Sequence, residues 1–142
     1  IPTDDANRDA GLASIEKDIS NFPEAFKTMV GERGVTLSGG QKQRISIARA
    51  FRKNAGIMIL DDCLSAVDAK TEKEIIGNLQ SYLEDKTAII ITHRIFSLFT
   101  LDKILVLNEG KLVEQGTHEE LMGKKGLYFE LFEKQQLEDV TG

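Results

Sequence analysis

Thr36-Leu37-Ser38-Gly39-Gly40-Gln41-Lys42-Gln43-Arg44 is the stretch on which the reading of this chain turns, a Ser-Gly-Gly-Gln turn that runs straight into a helix. The first backbone N–H groups of a helix have no partner inside it and carry a partial positive charge, so anions settle there. Gly39 and Gly40 let a ligand approach the main chain closely, Ser38 and Gln41 add side-chain hydrogen bonds, and Lys42 and Arg44 raise the local potential. The stretch is a candidate nucleotide contact. A bare Ser-Gly-Gly is better explained as a capped helix whose turn needs glycine, so the decision passes to the residues downstream.

Beyond that helix, Gly56-Ile57-Met58-Ile59-Leu60-Asp61-Asp62 sets four apolar residues before two acids. An apolar run without alternation suits a strand buried on both faces of a parallel sheet. The carboxyl ends of such strands are where open α/β sheets bind ligands. Asp61 is placed to hold a magnesium ion, directly or through water, because this hard cation takes oxygen ligands and keeps several waters. Asp62 is placed to orient or deprotonate an attacking water. Capping of the next turn by both acids competes with this reading, and these residues alone do not decide. A second run, Thr87-Ala88-Ile89-Ile90-Ile91, leads into Thr92-His93-Arg94. A lone histidine after a strand is usually structural, yet His93 leaves the same sheet edge as the two acids, and in this class of sheet those ends converge on one crevice.

Together these motifs resemble the ATP-binding cassette ATPases, the nucleotide-binding domains of ABC transporters. Leu37 to Gln41 match the family's signature motif, Ile57 to Asp61 its Walker B strand, Ser65-Ala66-Val67-Asp68 its D-loop and His93 its switch histidine, in order, from about residue 12 to about residue 135. Val30-Gly31-Glu32-Arg33-Gly34 and the run Val113 to Leu121 look like the exporter branch, which fuses each ATPase to a transmembrane domain. The resemblance implies an α/β fold: residues 56–142 as part of a P-loop NTPase (RecA-like) core with a mostly parallel sheet, and residues 1–55 as part of the helical signature subdomain. It implies ATP and Mg2+ as cofactors and a head-to-tail dimer with a second ABC ATPase subunit. In that dimer Ser38, Gly39, Gly40 and Gln41 serve the partner's ATP, Asp61, Asp62 and His93 serve the ATP of their own subunit, and Asp68 communicates between the two sites. The implied location is the cytoplasmic face of the cell membrane.

Two departures qualify the match. No G-x-x-x-x-G-K-[ST] phosphate loop occurs, and Gly39-Gly40-Gln41-Lys42 lacks both its spacing and the following Ser or Thr. In the family that loop lies upstream, so the chain is expected to be the C-terminal part of one ATPase domain and to bind ATP poorly by itself. The residue after the Walker B aspartate is ordinarily glutamate, and here it is Asp62. One methylene fewer draws the carboxylate back by roughly 1 to 1.5 Å, and such a misplacement costs on the order of a hundredfold in rate. The run Asp61 to Asp68 then resembles the degenerate half of a heterodimeric exporter, a weak site here with a signature that completes a competent site on a different partner. A half that binds ATP and only gates its partner is the alternative. A soluble relative acting on DNA or the ribosome is more distant, since it needs a basic surface and a long insertion.

The composition fits. With 41% hydrophobic residues in 142, one core can be buried, and no run approaches the ~18 apolar residues of a membrane helix. A net charge of −5 argues against a nucleic-acid-binding surface. Cys63 is the only cysteine, which excludes an internal disulfide and suits a reducing compartment. Periodicity predicts helices over 12–19, 22–29, 39–53, 69–84 and 127–138, strands over 87–92 and 103–108, and a hairpin at Asn108-Glu109-Gly110. Asp68 is an N-cap, and Thr117 with Glu120 forms a capping box. The basic residues of helix 39–53 suit a solvated face, His118 a solvated surface, Tyr82 and Tyr128 the core, and 139–142 a frayed end.

Overall fold

The computed structural model describes residues 3–95 and 100–141. Contacts divide the chain into two compact units, Ile1–Thr92 and His93–Gly142.

The first unit runs α1 (Thr3–Leu12), α2 (Glu16–Ser20), a 3-10 turn (Ala25–Lys27), α3 (Gly39–Lys53), β1 (Ile57–Asp61), α4 (Ala69–Leu83) and β2 (Thr87–Ile91). β1 and β2 pair in parallel, Ile57 opposite Thr87 and Asp61 opposite Ile91. Parallel neighbours need a crossover, and α4 supplies it. It starts at Asp68, whose carboxylate accepts the Thr71 N–H at 3.0 Å, and it buries Ile75, Ile76, Leu79 and Leu83 at helical spacing. α3 buries Ile47 and Phe51. The Phe51 ring meets Tyr82 edge-on at 4.5 Å, and the Tyr82 hydroxyl donates to the Phe51 carbonyl at 2.9 Å. Ala10, Ala13 and Ile15 are also buried, and Asn78 of α4 donates to the Leu12 carbonyl at 3.0 Å.

The helix expected over 12–19 forms only from Glu16 onward, as α2, and the one expected over 22–29 is reduced to the 3-10 turn. Ser14 takes a left-handed φ of +53°, which breaks the chain between α1 and α2. Its neighbours Ala13 and Ile15 are both buried, and its carbonyl accepts from Arg44. Further on, Pro23 disfavours a helical Phe22 and Ala25 sits at φ +47°, which leaves only the 3-10 turn.

The two-sided burial expected of β1 is also corrected. Met58 and Leu60 are buried, whereas Ile57 and Ile59 are 66% and 63% exposed. Ile89 and Ile91, on the same face by register, are exposed as well. Among the described residues this unit covers one face of its two-stranded sheet.

The second unit contains β3 (Ile104–Asn108), β4 (Lys111–Gly116), α5 (His118–Lys124) and α6 (Leu127–Thr141). β3 and β4 form an antiparallel hairpin whose turn residues Glu109 and Gly110 have φ of +49° and +72°, as a type I′ turn requires. Thr117 and Glu120 close their capping box at the start of α5. Val106, Leu121 and Tyr128 form the core. His118 is not a solvated residue: its Nδ1 lies 2.8 Å from the Tyr128 hydroxyl, and its ring stands edge-on to Tyr128 and Phe132. The expected fraying from 139 is not seen either, since α6 continues to Thr141, whose hydroxyl donates to the Leu137 carbonyl at 2.9 Å; Gly142 lies outside the described residues.

Candidate functional site: a capped helix seated on a strand-end loop

Ser38 is the N-cap of α3. Its Oγ accepts the Gln41 N–H at 3.2 Å, and Gln41 Oε1 accepts the Ser38 N–H at 3.0 Å. The capping explanation therefore holds, and it does not use up the donors of the turn. The capping bond uses a lone pair of the hydroxyl, so the Ser38 proton is still available to a ligand. Gly39 and Gly40 are the first two residues of α3, and their N–H groups have no acceptor within the helix.

Gln41 and Arg44 turn inward. Gln41 Nε2 donates to Asp18 Oδ1 at 2.8 Å, and Arg44 Nη1 meets Asp18 Oδ2 at 2.8 Å. Arg44, with its side chain 15% exposed, is thus a paired cation that ties α3 to α2, not part of a solvated basic face; Lys42 remains exposed. Partial burial works to raise the Asp18 pKa, but the hydrogen bonds from Gln41 and Arg44, with the Arg44 charge, outweigh it and hold the carboxyl below its ordinary value.

The two glycines also serve a packing role. A Cβ on Gly40 would stand 2.7 Å from the Ala66 carbonyl oxygen, and one on Gly39 would stand 3.3 Å from Ala66 Cβ. The start of α3 is seated on the loop that leaves β1. Asp61 ends that strand, exposed, and Asp62 follows in the left-handed region at φ +44°, which aspartate tolerates better than most side chains. The Asp62 N–H donates to the Ile91 carbonyl at 2.8 Å, one rung beyond the last strand pair. Its carbonyl accepts from Gln43 Nε2 at 3.3 Å and from the Ser65 hydroxyl at 3.4 Å. At the far end of the loop Asp68 caps α4, and the Thr71 backbone N–H, then its side chain, hold the Asp68 carboxyl below its ordinary value.

The first unit thus gathers the Ser38 turn, the Asp61–Asp62 pair and the Asp68 loop. His93, exposed, opens the second unit two residues after β2 ends. The backbone beside it is fixed from α6: Gln135 Oε1 accepts the Ile95 N–H at 2.8 Å, and Gln135 Nε2 donates to the Ile95 carbonyl at 2.7 Å. Among the described residues no three Asp, Glu, His or Cys side chains form a cation cage. Mg2+ does not need one, since it is held by one or two carboxylates with water and phosphate oxygens. The exposed Asp61–Asp62 pair fits that share. Asp18, Gln43 and Gln135 were not singled out by sequence as site-shaping residues, because a glutamine two positions past the signature or late in a helix carries no chemical flag.

A protein-family model described as "ABC transporter" matches residues 5–65. The chain is 54% identical over 125 residues to the probable multidrug resistance ABC transporter ATP-binding/permease protein YheI of Bacillus subtilis (strain 168), covering 88% of the chain and 21% of that protein. It is 49% identical over 129 residues to the multidrug resistance-like ATP-binding protein MdlA of Escherichia coli (strain K12), covering 91% and 22%. The solved structure of a bacterial Atm1-family ABC exporter with ATP bound matches with a TM-score of 0.85 at 40% identity, over 93% of the chain and 23% of that structure's chain. The fold is that of part of an α/β P-loop NTPase domain of the ATP-binding cassette class. The chain belongs to the ABC transporter family, and it spans about a fifth of the length of the relatives it matches.

Proposed function

We propose that this chain is part of the ATP-binding and hydrolysing domain of an ABC exporter, coupling ATP turnover in a head-to-tail dimer to transport through fused transmembrane domains at the cytoplasmic face of a membrane. In this reading residues 1–55 contribute the signature subdomain and residues 56–142 the C-terminal part of the ATPase core, with the phosphate loop supplied by a preceding segment. The observation that carries it is the seating of the Ser38-capped helix on the Asp62–Asp68 loop, with Asp61 and Asp62 at the carboxyl end of a parallel strand pair.

The division of labour follows from donor chemistry. The Ser38 hydroxyl and the Gly39 and Gly40 N–H groups donate to phosphate oxygens of the ATP held by the partner. Asp61 offers a carboxylate to Mg2+, which neutralises phosphate charge when bound. Asp62 accepts a proton from, or orients, the attacking water, and His93 serves the same ATP. Because Asp62 stands where the family ordinarily has glutamate, we assign this site as the weaker one of a heterodimer, with an ATP-binding but silent half as its limiting case.

ATP turnover by the full-length exporter tests the reading. Asp61→Asn is expected to lower turnover at this subunit's own site, followed apart from the partner's, by about a hundredfold with thermal unfolding unchanged. Unaltered turnover would refute it.

A further inference from the structure

We propose that Gln43 is a positioning residue: a single side-chain amide that clamps the strand-end loop onto the signature helix and so fixes Asp62 relative to Ser38. The proposal rests on the functional reading above, since it concerns how the two half-sites carried by this chain are held in register.

Three bonds from one amide make the clamp. Gln43 Oε1 accepts the Ala66 N–H at 2.9 Å, while Nε2 donates to Ser65 Oγ at 2.8 Å and to the Asp62 carbonyl at 3.3 Å. The side chain therefore grips the loop at residues 62, 65 and 66. Only an amide suits this position, because the loop presents a donor at Ala66 and acceptors at Ser65 and Asp62, and a carboxylate or an ammonium offers only one kind of group. Asparagine would be a methylene too short.

The placement follows from helix geometry. Residue 43 lies four positions after Gly39 and three after Gly40, so it projects from the same face of α3. That is the face on which a Cβ at Gly40 would reach the Ala66 carbonyl at 2.7 Å. The glycines bring the helix and loop backbones together, and Gln43 locks them. Gln41 holds the helix from another side, through Asp18. Because the clamp includes the Asp62 carbonyl, the residue next to the reacting water inherits its position from the helix that faces the partner's nucleotide. An error of about 1 Å at such a residue is costly in rate while leaving ATP affinity nearly untouched.

The test is site-resolved steady-state ATP hydrolysis by the full-length exporter, with kcat and KM at this subunit's own site separated and thermal unfolding measured on the same samples. Gln43→Ala is expected to lower kcat about tenfold with KM within about twofold. Gln43→Glu, which keeps the acceptor for Ala66 but loses the donor, is expected to fall between Gln43→Ala and the parent. Asn78→Ala is the control: it removes one comparable tertiary bond, to the Leu12 carbonyl, and is expected to leave kcat and KM as in the parent. Parental kcat in Gln43→Ala, or an equal loss in Asn78→Ala, would overturn the proposal while leaving the effect of Asp61→Asn, and with it the functional reading, intact. Should Gln43→Ala fail to assemble, Gln43→Glu, which loses only the two Nε2 bonds, decides: a reduced kcat supports the clamp and parental kinetics overturns it.

Discussion

Asp62 is held by its backbone on both sides, its N–H by Ile91 and its carbonyl by Gln43 and Ser65, so the reach of its side chain is what is left to set the chemistry. A carboxylate one methylene short sits back from where a glutamate would place it. Asp62→Glu in the full-length exporter is therefore expected to raise turnover at this subunit's site by about tenfold or more; site-resolved turnover unchanged by the substitution would contradict the assignment of a weak site. Asp18 gives a pH prediction. Its folded-state pKa lies below the ordinary 3.8, so the stability it contributes is complete above that value and is lost as pH falls through the folded pKa. Thermal unfolding between pH 5 and pH 2, on about that scale of acidity, should show a shallower acid loss for Asp18→Asn than for the parent. An equal slope would mean that the carboxylate does not hold α2 to α3. The same residue shows why Arg44 was misjudged by sequence: its helical position is compatible with solvent, and only its pairing with Asp18, 26 residues earlier, takes it inward.

At the scale of elements, what could be foreseen depended on whether the cause was local. α3 and α4 have strong caps in Ser38 and Asp68 and a clear apolar stripe, and both begin where those caps place them. The β3–β4 turn and the Thr117–Glu120 box are equally local, and they form. The break at Ser14 and the inward turn of His118 have distant causes, the Arg44 bond to the Ser14 carbonyl and the packing of Tyr128 and Phe132, and no periodicity reports them. The pairing of β1 with β2 was legible from two apolar runs separated by a helix, but the run of β1 does not say how many layers cover it. Two stability predictions belong here. Ser38→Ala loses the side chain's half of a capping box and should cost about 1 kcal/mol. Gly40→Ala should cost more, about 1–3 kcal/mol, because its methyl meets the Ala66 carbonyl and not the end of a mobile side chain. Chemical denaturation of the full-length protein's ATPase domain would rank the two, and a milder effect for Gly40→Ala would mean that the helix and loop are not in contact.

Over the molecule as a whole, each unit has its own core, and among the described residues no helix is long and apolar enough to cross a membrane. The exposed isoleucines at 57, 59, 89 and 91 leave one face of the β1–β2 sheet uncovered by the first unit's described residues. The sequence contains a signature turn and a Walker B strand but no phosphate loop, so the account's central claim is that both belong to nucleotide sites completed by other segments. Calorimetric titration of Mg-ATP into the 142-residue chain, with circular dichroism showing that the sample is folded, tests this most directly. The account expects no binding up to about millimolar ATP, since helix-terminus donors and two carboxylates supply only part of a nucleotide site. Binding at about micromolar ATP, close to −8 kcal/mol, would contradict it by showing a complete nucleotide site within these residues.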